Sequence, residues 1–212
     1  MDFQEFLNCI PKVAKESLPG EDAHLKMAPP ERKTRMAELD HALLNPRKAA
    51  VLMLVYPREN RAHLALILRN TYNGVHSSQI AFPGGKVESS DPDYGYTALR
   101  ETHEEVGIPP EAITLVKAFT EVYIPPSNFM VFPFLGYTLT EPQFIEDPAE
   151  VAGMVELPLE SFLDDRIIVD KQMDTSYSKS IFVPAFKIGE HHVWGATAMI
   201  LSELKEVLQK AL

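Results

Sequence analysis

The segment that most restricts this chain is Asp91 to Gly107, whose punctuation specifies a helix. Asp91 offers an N-cap, Pro92 fits the first helical position and Asp93 adds an acid to the first turn. Gly107 fits the left-handed position that closes a helix, so the spacing predicts a helix over Pro92 to Val106. On it Glu101, Glu104 and Glu105 stand at i, i+3 and i+4, within an arc about 100° wide. Like charges at that spacing cost roughly 0.2–0.5 kcal/mol per pair. The last helical turn disfavours anions as well. Hard divalent cations remove both penalties, because Mg²⁺ and Mn²⁺ prefer oxygen ligands. A metal site on this helix is therefore expected, with Glu101 and Glu105, one turn apart, as direct ligands.

Leu99, Thr102 and Val106 face away from the acids and are expected to pack on the core, with His103 toward the same packed side. Arg100 lies one turn before Glu104 and can pair with it. Upstream, Phe82-Pro83-Gly84-Gly85-Lys86 marks a tight turn in which backbone can approach a ligand and bare amides such as that of Gly84 can bind phosphate oxygens. A glycine turn beside clustered acids suggests metal-assisted hydrolysis of a phosphoanhydride.

These residues resemble the Nudix box, in which Gly, five residues, Glu and seven residues precede Arg-Glu-apolar-x-Glu-Glu-x-Gly-apolar. The second half matches at Arg100, Glu101, Glu104, Glu105, Gly107 and Ile108, with Thr102 at the first apolar position. Gly85 to Arg100 is one residue longer than the general box, and Asp91 stands where the first Glu is expected. The coenzyme A pyrophosphatase-like subgroup carries that longer spacing. Its upstream signature is similar to Ile67-Leu68-Arg69 and Gln79-Ile80-Ala81-Phe82-Pro83-Gly84-Gly85, with His76 in place, Gly74 where the signature has Arg and Ser78 where it has Gly. Trp194-Gly195-Ala196-Thr197-Ala198 looks like the subgroup's entry to its C-terminal helix.

The resemblance implies an α+β chain with a Nudix-type α/β/α sandwich and a mixed β-sheet, plus N-terminal helices. It implies Mg²⁺ or Mn²⁺ as cofactor and the Gly85 carbonyl as a further metal ligand. It places His76, Ser78 and Gln79 near substrate, and Arg69, Gly84 and Lys86 are further substrate-binding candidates, Arg69 because its fork suits phosphate oxygens. Glu104 is a third ligand or orients the attacking water, and Glu150 is an extra acid of the kind family members supply from a loop outside the box. The bland alternatives are a strand-end cap for Arg69, solvated charge for Lys86 and Glu150, and simple capping for Asp91 and Glu88. The implied reaction cleaves coenzyme A or acyl-coenzyme A to 3′,5′-ADP and 4′-phosphopantetheine. Other nucleoside diphosphate derivatives (ADP-ribose, a dinucleotide or an oxidised nucleotide) form the alternative, and a non-catalytic nucleotide sensor is the reading from another class.

The 212 residues suffice for one core-bearing domain. A net charge of −10 argues against nucleic acid and anionic membrane as partners, and makes cations necessary wherever a diphosphate binds. A single cysteine, Cys9, excludes an internal disulfide framework and a cysteine zinc site. No apolar run reaches transmembrane length and the acidic N-terminus lacks signal-peptide character, so a cytoplasmic location is expected.

Along the chain, Phe3 to Ser17 reads as an amphipathic helix with Phe3, Phe6, Leu7, Ile10 and Val13 on one side. Residues 19 to 30 read as a loop and Glu31 to Leu44 as a second helix, so residues 1–48 form a helical appendage and 49–212 the catalytic domain. The appendage is a candidate homodimer or partner surface. Strands are expected over Ala49–Tyr56, His63–Arg69, Ile113–Val122, Phe129–Leu139, Val151–Leu157, Ile167–Val169 and Ser180–Ile188. A short helix is expected over Pro158–Leu163 and a closing one over Gly195–Leu212. Adjacent His191 and His192 point to opposite sides of a strand and suit a turn or edge rather than a metal pair. Trp194, Met27, Met36 and Met53 read as core packing.

Overall fold

The computed structural model describes residues 1–30, 32, 45–70, 79–174 and 180–212. The expected helix over Glu31–Leu44, including Met36, and the candidate site residues His76 and Ser78 lie outside the described residues, Arg32 excepted.

Helix α1 (Phe3–Lys15) starts at a capping box: the Asp2 carboxylate accepts from the Gln4 N–H at 2.8 Å, and Glu5 accepts from the Asp2 N–H at 3.0 Å. Phe3, Phe6, Cys9 and Val13 are buried at helical spacing, with Leu7 and Ile10 half-buried beside them. Residues 21 to 26 are not loop but a short helix, α2 (Glu21–Lys26), entered through Gly20 at φ 62°. What fixes it is remote in sequence. The Gly20 N–H donates to Glu203 at 3.0 Å, and His24 meets the same carboxylate at 3.3 Å.

The main sheet is built on β1 (Arg47–Arg58) and β2 (Arg61–Arg69), an antiparallel hairpin closed at Glu59-Asn60. Next come β3 (Ile80–Ala81) and β4 (Gly84–Lys86), helix α3 (Tyr94–Val106), β5 (Thr114–Ala118), β6 (Val122–Ile124), β7 (Phe129–Tyr137) and β8 (Val151–Pro158). Where one strand was expected over Ile113–Val122, two short ones form, and the β5–β7 register shifts between Leu115 and Lys117. Pairing runs β3-β2-β1-β7-β5, with β4 also on β1, β6 on β7 and β8 on β2. Only β1 and β7 pair in parallel among the described strands, so the sheet is mixed. Helix α4 (Leu159–Leu163) leads to a second sheet of β9 (Ile168–Met173), β10 (Ile181–Ile188) and β11 (His191–Val193), and helix α5 (Gly195–Ala211) closes the chain. His191 and His192 lie on the edge strand of that second sheet.

Strand β1 is buried on both faces, and its alternation sorts the core into two layers. Ala49, Met53 and Val55 join α1 and α5 in one cluster, together with Met27. Ala50, Leu52, Leu54 and Tyr56 join Ala98 and Val106 of α3 in the other. Helices thus cover both faces of the sheet, giving the expected sandwich, and the acid-bearing helix sits across from the two terminal helices. Among the described residues no helix is long and apolar enough to cross a membrane.

Candidate active site

The α3 helix begins later than its sequence punctuation suggests. Asp93, not Asp91, is the N-cap, accepting from the Tyr96 N–H at 2.8 Å, and Pro92 stays outside the helix. Asp91 is instead drawn into a fork with Arg100, at 3.0 Å from both Nε and Nη2. It also accepts from the Glu88 N–H at 2.9 Å and the Thr97 hydroxyl at 2.8 Å. The Arg100 guanidinium holds the Asp91 carboxyl well below the usual carboxylate range. The helix ends at Gly107 with φ 76°, as the glycine predicts.

The three acids do not share one environment. Glu105 is buried at 2% exposure, accepting from the Gly84 N–H at 2.7 Å and from Arg69 Nη1 at 3.3 Å. Burial pushes its carboxyl up to about 7 against the pull of those two donors. Glu101 is half-buried, 3.0 Å from Arg100 Nη1, and burial raises it too. Glu104 is 56% exposed and pairs with Arg100 Nη1 at 2.9 Å, the expected partner. The buried arc of α3 therefore runs through Glu105 as well as Thr102 and Val106, with Leu99 half-buried beside them. His103, nearly opposite Glu105, is exposed rather than packed, because successive residues rotate by about 100°.

The glycine turn is shaped around these carboxylates. At Gly84, φ is 148°, and a β-carbon there would overlap the Ala50 carbonyl and Val51. A β-carbon at Gly85 would overlap the Glu101 carboxylate. The Gly84 amide, expected to serve phosphate oxygens, is given to Glu105.

Glu101, Gly84, Gly85, Lys86, Arg69, Gln79 and Glu150 line one cavity of about 470 Å³. Arg69 bridges Glu105 and Glu150, the latter at 3.6 Å and 52% exposed. Gln79 contributes its carbonyl to the Arg69 N–H at 3.0 Å, and the exposed Lys86 contributes its carbonyl to Arg100 Nη2 at 3.1 Å. Glu104 does not line the cavity. Trp194 is half-buried in the cavity wall, not in the core. Its neighbours Gly195 and Thr197 also face the cavity, where sequence reasoning had marked only a helix entry. Arg32, at the cavity's edge, was missed altogether; no local pattern around it points to a site.

The donor set suits a hard divalent ion. Two carboxylates whose charged forms are disfavoured by burial lie against a turn whose Gly85 leaves no room for a side chain beside Glu101. Among the described residues the acids are held in ion pairs rather than gathered as a group of three.

Residues 46–176 match the NUDIX domain family. The chain belongs to the Nudix hydrolase family. Over 174 residues it is 33% identical to the uncharacterized Nudix hydrolase NudL of Enterobacter sp. (strain 638), covering 79% of this chain and 85% of NudL. Over 163 residues it is 34% identical to the chloroplastic Nudix hydrolase 22 of Arabidopsis thaliana, covering 74% of this chain but 53% of that protein, so the chain spans about half the length of this plant relative. The fold is shared with RenU, a Nudix hydrolase from M. smegmatis, at TM-score 0.54 and 18% identity, over 78% of this chain and 87% of RenU. Within this Nudix chain the matched region carries the acids and the glycine turn, whereas Arg32 and Trp194 lie on either side of it.

Proposed function

We propose that this Nudix protein hydrolyses the diphosphate bond of a nucleoside diphosphate derivative with Mg²⁺ or Mn²⁺, and that coenzyme A or acyl-coenzyme A is its substrate. The carrying observation is desolvated Glu101 packed against Gly85 at the wall of a cavity, with buried Glu105 accepting from the Gly84 N–H of the same wall. Divalent ions, when bound, supply Lewis acidity toward the diphosphate oxygens and the attacking water. Glu101, Glu105, Glu104 and the Gly85 carbonyl are the groups that would hold them.

The remaining work falls to the chain's own side chains. Arg100, fixed by Asp91, keeps Glu101 and Glu104 oriented. Arg69, which lines the cavity between Glu105 and Glu150, carries a fork that suits a phosphate oxygen. Glu150 is our candidate to accept the proton of the attacking water at its carboxylate, a reading supported by its lining the cavity beside Arg69. Glu104, turned to solvent, is the weaker candidate for that role.

The coenzyme A assignment is supported by the long Gly85–Arg100 spacing and by Leu68-Arg69 and Phe82-Pro83-Gly84-Gly85, which resemble the subgroup's signature. Turnover of the metal-loaded protein on coenzyme A, acetyl-coenzyme A, ADP-ribose and a diadenosine polyphosphate tests it. Release of 4′-phosphopantetheine as the fastest reaction is expected; a faster reaction on ADP-ribose or the dinucleotide would reject the assignment.

A further inference from the structure

Arg32 faces the same cavity as Glu101 but comes from outside the matched family region. It is 7% exposed, and its guanidinium donates to the Tyr123 carbonyl on β6. The sheet sets its distance from the acids. Gly85 opposes Ala50, Ala50 opposes Phe132, and the neighbouring Val131 opposes Val122, so the strands cross the cavity floor in the order β4, β1, β7, β6. Three strand spacings place β6 roughly 14 Å from β4. Arg32 is thus tethered to the far side of the floor from the glycine turn. Ile124, Phe129 and Trp194 supply apolar parts of the same wall.

A guanidinium carries five N–H donors in a planar fork that fits phosphate. In a chain of net charge −10, a guanidinium facing the cavity on the side away from the acids favours an anion there. We infer that Arg32 anchors a second anion subsite, which takes a phosphate on the nucleoside half of the substrate, separate from the diphosphate. The inference rests on the hydrolase reading for what occupies the other end of the cavity. It selects nucleoside diphosphate derivatives that carry an extra ribose phosphate over those that do not, with the nucleoside's flat ring against the apolar wall.

Calorimetry on the full chain with adenosine 3′,5′-bisphosphate, adenosine 2′,5′-bisphosphate and AMP tests this without turnover. One of the bisphosphates is expected to bind more tightly than AMP, and which one it is gives the position of the phosphate. Arg32→Met should weaken that bisphosphate roughly tenfold to hundredfold and leave AMP unchanged. Arg32→Lys should recover part of the loss, and unchanged AMP binding shows that the cavity is intact. Equal weakening of all three ligands by Arg32→Met would make the residue a structural clamp and overturn the subsite, as would a wild-type protein that binds none of them or binds all alike. The hydrolase reading is judged separately. A bisphosphate preference lost in Arg32→Met, in a metal-loaded protein that cleaves no nucleoside diphosphate derivative, would leave the subsite standing and remove the reaction.

Discussion

Asp91 meets Arg100 as a two-pronged fork, with Nε and Nη2 each 3.0 Å from a separate carboxylate oxygen. The Asp91 side chain is 0% exposed, and the same guanidinium extends Nη1 to Glu101 and Glu104. One buried carboxylate therefore sets the orientation of the arginine that restrains two of the three box acids.

Asp91→Ala should destabilise the protein by about 3 kcal/mol, because it leaves Arg100 partly buried without its main partner. Urea denaturation measures this. A loss below about 1 kcal/mol would mean that Arg100 simply re-pairs with Glu101 and Glu104.

Glu105→Gln should lower turnover at least about 100-fold at saturating Mg²⁺. The metal-free variant should melt at the same temperature or higher, since burial disfavours the charged form of Glu105 and the amide oxygen can still accept from Gly84. Full activity would remove Glu105 from the metal site.

Gly85→Ala places a methyl group on the Glu101 carboxylate. Glu101 can swing aside, so the fold should survive while Mn²⁺ affinity, followed by paramagnetic broadening, falls about tenfold or more. Unaltered affinity would exclude both the carbonyl and Glu101 as ligands.

Glu150→Gln should reduce kcat by roughly 100-fold or more with little change in KM, as expected for loss of a general base. If Glu104→Gln gives that pattern instead, the exposed helix acid carries the proton.

On α5, Glu203 collects the Gly20 N–H at 3.0 Å, the Thr120 N–H at 3.1 Å, the Thr120 hydroxyl at 2.5 Å and His24 at 3.3 Å. Burial raises its carboxyl, but His24 and Thr120 outweigh that and leave it lowered. A depressed acid stabilises the fold above its unfolded-state value and loses that contribution as pH falls through its folded-state value. Wild type should thus exceed Glu203→Gln in stability near pH 7, and the gap should shrink below about pH 4. A gap that stays constant down to about pH 3 would show that shape, not charge, is what Glu203 provides.

Much of this was legible in the chain itself. Helix α3 and its glycine stop, the β1–β2 hairpin and the closing helix all announce themselves through local punctuation and periodicity. The errors are of one kind. Asp91 looked like a cap because its competitor, a side chain nine residues on, is invisible to local rules. His103 reads as packed when the buried arc is drawn opposite all three acids, whereas packing passes through Glu105. Helix α2 needs the Glu203 carboxylate, and Arg32 gains its place only once β6 lies beside β7.

The cavity draws Arg32 from ahead of the matched region and Trp194 from beyond it, while the carboxylates come from its middle. On the proposed reading, part of what selects the substrate comes from outside the stretch that would break the bond. Drift at those flanking positions would then retune which molecule is accepted and spare the acids, so relatives that align well across the box would part company in diet.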